Sequence, residues 1–314
     1  MGRSSTGKSP RRPPWARCFD SEQFWVFTTL IESELRLRAC RLDMEHGVVR
    51  VAGPDRAHDL GLQNVAQICA SLPRTEWSET IHDHFESIFT IDRESEELAR
   101  RAENFDDVRH LLRIRIFDRQ VPQGPPNDPK KPVLVGFPLA DDLLAAFVFD
   151  LPSAMRSVAH DERRSWDIGD DDLRDIAVQN LALDPPPQQA VVPTPDGIAV
   201  RVLSGSSLYT ASHVLTLPEL VGEHPYGAVV ALPNRHAVLV HLVESLSVLP
   251  AVNAMLGATR GLYRDGPGSI SMDLYWVHNH KWTRLPFVVQ DRTVVFAPPP
   301  SFVALLERLG ERPS

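Results

Sequence analysis

Apolar residues recur along this chain in two rhythms. Near the start, Phe24, Phe27, Ile31 and Leu35 return at helical spacing, which predicts an amphipathic helix over residues 21–38. Asp20 precedes it and Gln23 follows three residues on, the arrangement of a capping box. Short strands are expected at Arg41–Met44 and Val48–Val51, joined through His46-Gly47, and helices at Leu62–Leu72 and Glu76–Phe89. In the last of these Trp77, Ile81, Phe85 and Ile88 make the apolar face, with Thr75 as N-cap. Residues 90–106 are charged and read as part helix, part linker.

The rhythm then changes. Leu112, Ile114 and Ile116 alternate with Arg113 and Arg115, which predicts a half-buried strand whose arginine face is wet. Five prolines and two lysines within 118–132 mark an exposed loop or insertion. Beyond it, strand pairs precede helices repeatedly. Leu143–Phe149 and Met155–Ala159 come before a helix at Asp170–Leu183, whose first turn, Asp170-Asp171-Asp172, suits the positive end of the helix dipole. Ala190–Val192 and Ile198–Leu203 come before a helix at about Thr210–Val221. Val229–Leu232 and Ala237–Leu242 come before one at Leu246–Leu262. Ser269–Val277, Trp282–Val289 and Thr293–Phe296 come before the last, at Phe302–Leu309. The expected class is α+β: a mostly antiparallel sheet of successive ββα units with helices on one face, preceded by a smaller α/β region. Tight turns between consecutive strands disfavour a parallel sheet. The expected organisation is a disordered basic tail over 1–19, a smaller region over 20–106 and the main domain over 107–314.

Composition narrows the classes. The chain has 314 residues, 43% hydrophobic and 24% charged, enough for a sizeable core. Its net charge of −8 disfavours nucleic acid as the main ligand. The charge is uneven: residues 1–19 hold five basic side chains and no acid, leaving about −13 on the remainder. Cys18, Cys40 and Cys69 form neither a disulfide framework nor a CxxC, so a reducing cytoplasm is the expected location. No apolar run is long enough for a membrane span and no signal peptide is evident.

Few motifs carry chemistry. Gly2-Arg3-Ser4-Ser5-Thr6-Gly7-Lys8-Ser9 spells a P-loop, but a P-loop needs a strand before it and a helix after it. Here Met1 precedes the glycine and Pro10, Pro13 and Pro14 follow, so a flexible basic tail is the better account. The same letters fit a myristoylation string, equally short. His82 and His84 are about 200° apart on a helix and cannot share a metal. His278 and His280 flank a hairpin turn, and His236 and His241 fall on opposite faces of a strand. No metal and no cofactor is expected. Asp141-Asp142 and Asp170–Asp172 read as solvated caps, and Gly205-Ser206-Ser207 and Gly268-Ser269 as turns. Cys69 sits among apolar residues as an inert thiol.

One segment stands apart. Pro233-Asn234-Arg235-His236 joins two strongly apolar strands, where a bare hairpin would favour Asn-Gly or Asp-Gly. As a site, Arg235 would pair with an anion and Asn234 would orient it, with Asp150, Arg156 or His213 as further members. Two function classes follow: a non-catalytic binding or protein-interaction protein, whose partner could be another protein, and a small-anion-binding protein or enzyme centred on 233–236.

Leu143–Val158 (LLAAFVFDLPSAMRSV), Ala228–Leu239 (AVVALPNRHAVL) and Gly266–Val277 (GPGSISMDLYWV), with the helix between the last two and more weakly Val65–Phe89, carry a likeness over most of residues 20–290. In these segments the chain resembles the YtpQ-like family of uncharacterised bacterial proteins. The resemblance implies a bacterial cytoplasmic protein and supplies no catalytic residues. One departure concerns the segment singled out above: the family pattern has Asp after Pro-x-Arg, where this chain has His236.

Overall fold

In the first unit, helix α1 (Ser21–Leu35) opens as its pattern foretells: the Asp20 carboxylate accepts from the Gln23 amide and the Gln23 side chain accepts from the Asp20 amide. The computed structural model describes residues 13–36, 40–52, 57–119, 134–152, 155–194, 197–222, 224–290 and 293–311. The P-loop string and most of the Pro-rich loop lie outside them. Among the described residues one unit ends at Thr90 and the other begins at Ile91, a division that falls inside a helix rather than after residue 106.

The first unit holds a meander of β1 (Cys40–Asp43), β2 (Val48–Ala52) and β3 (Ala57–Gly61), all antiparallel. Helix α2 (Gln63–Ala70) and the first part of α3 (Trp77–Arg101) follow. The apolar stripe of α1 meets Val65, Cys69, Trp77, Ile81 and Phe85 in one core. Residues 14–19, expected as part of the tail, are built into this unit. A 3-10 turn at Pro14–Ala16 places Trp15 over Gly47, and Ala16 and Phe19 are fully buried. Gly47 sits at φ +67°, and an added Cβ would strike the Trp15 ring at 2.6 Å. Only glycine suits that turn.

The second unit contains the end of α3 and α4 (Phe105–Val108), then β4 (Leu112–Asp118), β5 (Gly136–Pro138), β6 (Leu143–Asp150) and β7 (Met155–Ser157). Strand β6 pairs antiparallel with β4, β5 and β7. Two helices follow, α5 (His160–Ser165) and α6 (Asp170–Gln179). A six-stranded antiparallel sheet comes next, built from β8 (Gln188–Pro193), β9 (Ala199–Ser204), β10 (Ala228–Asn234), β11 (Ala237–Leu242), β12 (Leu274–His278) and β13 (Lys281–Leu285). Its order is β13-β12-β10-β11-β9-β8. Between β9 and β10 the expected helix is a 3-10 segment, Thr210–Thr216, running into the short α7 (Leu217–Val221). Helix α8 (Val248–Asp265) lies between β11 and β12, and the hairpin β14 (Phe287–Gln290) and β15 (Thr293–Phe296) precedes α9 (Pro300–Gly310). The fold is α+β with antiparallel sheets throughout.

Every residue of β10 is buried, because both sheet faces are covered. Val229, Ala231 and Trp276 pack with Val252 and Met255 of α8 and Phe302 and Leu305 of α9. Full burial of one such side chain stabilises by roughly 1.5–3 kcal/mol. The long helices thus gather on one face. The other face, expected to be open, packs Val230, Leu232, Val238 and Tyr275 against Ile116, Leu143, Ala211 and Val214. No described helix is long and apolar enough to cross a membrane.

Candidate functional site

The turn between β10 and β11 is pinned from several sides. Pro233 has no N–H to give, and the β10–β11 register shifts between Ala231 and Asn234, the place where a bulge accommodates a proline. The Arg235 amide donates to the Gly268 carbonyl at 3.0 Å, the Arg235 carbonyl accepts from the Ala211 amide at 3.0 Å and the His236 carbonyl from the Gly205 amide at 3.1 Å. Asn234, almost fully buried, donates through Nδ2 to the Leu262 carbonyl at 2.8 Å and accepts through Oδ1 from the His236 amide at 2.9 Å. It therefore builds the turn and faces no ligand. Gly268, at φ +69°, lies under Arg235, so that a Cβ there would come within 2.7 Å of Arg235 Cδ.

Arg235 is half-buried and donates from Nε to His236 Nε2 at 2.8 Å. His236 Nδ1 lies 3.0 Å from the Gly205 carbonyl. These two contacts are satisfied together by one tautomer, a neutral imidazole protonated at Nδ1. Burial, then the Arg235 charge, lowers the His236 pKa, in keeping with that neutral form. With Nε engaged, the two terminal nitrogens of Arg235 remain to meet something else, and no acid meets them among the described residues.

Arg115 of β4 stands nearby. Burial, followed by repulsion from Arg235, brings its pKa down to about 10, so it is still a cation at neutral pH. It lies over the Phe117 ring at 4.9 Å and reaches Met155 Sδ at 3.4 Å, while its Nε is buried without a hydrogen bond. The arginine face of β4 is therefore not wet. Arg113 is 8% exposed, donates to the His110 and Leu112 carbonyls and has Asp150 at 3.6 Å. Tyr209 donates to Asp150 at 2.9 Å. Its hydroxyl is pushed to a higher pKa by burial and by Asp150.

No family model, no curated protein and no solved structure matches this chain. The site must be read from its own chemistry.

The other expected members divide. Asp150 belongs to the Arg113–Tyr209 edge of the cluster. Arg156 is taken up by Glu162 and stacks on Phe149. His213 Nε2 donates to Asp184 Oδ2 at 3.0 Å, and Ser207 Oγ donates to the other oxygen of Asp184. That trio holds the acid in the middle. Nucleophilic catalysis needs the imidazole in the middle, where it can take the hydroxyl proton, so these residues brace the segment after β9.

Other titratable residues fall elsewhere. Among the described residues no group of three His, Cys, Asp or Glu could hold a metal. His278 stacks on Trp276, and His241 Nδ1 lies 3.0 Å from the Ala199 carbonyl. Burial pushes the Cys69 thiol up to about 12. Asp142, expected as a solvated cap, is 5% exposed and accepts from the Tyr275 hydroxyl at 2.7 Å. Arg115 was the residue hidden from sequence reasoning. Its signal was slight: two arginines on one strand face with no acid between Leu111 and Phe117.

Proposed function

We propose that this protein binds a small anion, a phosphate or carboxylate group, between Arg115 and Arg235. One observation carries the reading: Arg115, its Nε buried without a hydrogen bond, and the half-buried Arg235, held at Nε by a neutral imidazole, have no acid partner among the described residues. Burying a cation without a counter-charge is costly, and an anionic ligand removes that cost. Arginine is also the side chain whose planar fork matches carboxylate and phosphate. His236 is a positioning residue in this reading, since it holds Arg235 Nε and leaves the outer edge of the guanidinium for the ligand.

The resemblance to the YtpQ-like family bears on the same residue. An Asp at position 236 would neutralise Arg235, whereas His236 leaves its charge to the ligand. The test is calorimetric titration of the full chain with inorganic phosphate, using chloride as the ionic-strength control. One phosphate should bind per chain. Arg115→Met and Arg235→Met should each lower affinity about 10- to 100-fold, the scale of one charge-assisted hydrogen-bonding group. Equal binding in both variants and wild type would sink the proposal.

A further inference from the structure

Strand β10 runs from the arginine site to a second concavity, and we infer that this cleft, at the Ala228 end, binds an amphipathic organic anion: one anionic head on an apolar body. It goes beyond the arginine site, with which it shares no residue. The cleft has a volume of about 570 Å³, within the usual range for small-molecule sites. Six residues of strand separate its floor from the β10–β11 turn, roughly 20 Å at the rise of a strand.

Its walls are of two kinds. Val214, Leu217 and Leu242 supply aliphatic surface, and Trp282 of β13 an aromatic one. The polar wall is basic or neutral. Arg174 of α6 lies over the Phe137 ring at 4.5 Å, and its guanidinium makes no ion pair among the described residues. His224 and His278 line the cleft too. His278 is held in place by stacking on Trp276, with ring centroids 5.3 Å apart, and by its Nε2 contact with the Pro225 carbonyl at 3.2 Å. Glu244, 3.7 Å from His224, is not part of the lining. Among the described residues no carboxylate lines the cleft, although the chain carries a net charge of −8.

A cation stacked beside an apolar hollow, with acids excluded, complements a ligand whose charge sits at one end. Calorimetry on the full chain with octanoate, hexanoate, butyrate and 1-octanol tests this. With saturating inorganic phosphate in every solution to fill the arginine site, octanoate should bind once per chain. Affinity should fall about fourfold for each methylene removed, the transfer free energy of one buried CH₂. Octanol should bind at least tenfold more weakly than octanoate. Arg174 is exposed, so Arg174→Gln should fold normally and bind octanoate and octanol alike. Absence of octanoate binding, equal binding of octanol by wild type, or discrimination that survives in Arg174→Gln would each overturn the inference. Phosphate binding at the arginine site is scored separately by the Arg115 and Arg235 variants, so either proposal can fail alone.

Discussion

Two buried polar clusters in the second unit differ in how their charge is balanced. Around Asp142 two carboxylates share one guanidinium, so every charge has an opposite partner. Ser271 donates to the Tyr275 hydroxyl at 2.8 Å, Tyr275 donates to Asp142 at 2.7 Å, and Arg284 lies between Asp142 at 3.7 Å and Asp273 at 2.5 Å. Burial disfavours the Arg284 cation, yet Asp273 and Asp142 outweigh it and raise its pKa. Asp273 is shifted upward by burial, with Asp142 and Asp118 adding to the effect against Arg284. Around Arg115 and Arg235 the only partners described are neutral: an imidazole, a thioether and an aromatic ring. A matched cluster gains its stability from within. An unmatched one leaves part of its stabilisation to be supplied from outside, which is the physical signature of a binding site.

The comparison is best broken by stability measurements. Tyr275→Phe removes the short hydrogen bond to Asp142, whose other oxygen already lacks a partner, and should cost about 1–3 kcal/mol in urea unfolding. Arg235→Met keeps the stem that packs on Gly268 and removes an uncompensated charge. Without added anion it should leave stability unchanged or raise it by about 1 kcal/mol. If Arg235→Met is instead the more damaging of the two, Arg235 is balanced from within and the distinction collapses.

A smaller effect sharpens the contrast. His236→Asp gives Arg235 an internal partner, converting the unmatched cluster towards the matched kind. Phosphate affinity should fall roughly tenfold, in line with one lost charge-assisted contact, and retained affinity would show that Arg235 does not bind the anion.

The smallest effect is in pH dependence. The folded His236 has a pKa below its ordinary value of 6.5, chiefly through burial. Its neutral form is therefore favoured in the folded state. The associated stability is fully present above about pH 6.5 and is lost as pH falls through the lower folded value. Wild type should lose urea midpoint below pH 6.5 more steeply than His236→Gln; parallel curves would mean that the imidazole does not clamp Arg235.

The longer elements were legible in the sequence. Phe24, Phe27, Ile31 and Leu35 marked α1 by their helical spacing, and Ala237–Leu242, buried almost throughout, was bounded to the residue. The strand β7 was expected at Met155–Ala159 and is there, whereas the short β5 and the helix α5 left no periodic signal, since three residues of strand or six of helix span less than two repeats. The site was half legible. The oddity of Asn234-Arg235-His236 in a hairpin drew attention to the turn where the anion site is proposed, yet Asn234 braces that turn and the proposal takes Arg115 of β4 as the partner of Arg235. Alternation showed correctly that Arg113 and Arg115 share a face. It could not show that Tyr209 and Met155, distant in sequence, would cover that face.

Asn234 has a consequence for the order in which the molecule assembles. Its amide joins the β10–β11 turn to the last carbonyls of α8, 28 residues away, and leaves no room for a Cβ at Gly266. Neither hydrogen bond alone would demand this, but together they require strand, turn and helix to be in place at once. A contact of that kind is expected to form late, after the folding barrier has been crossed. Asn234→Ala should then speed unfolding of the second unit and leave its folding rate unchanged.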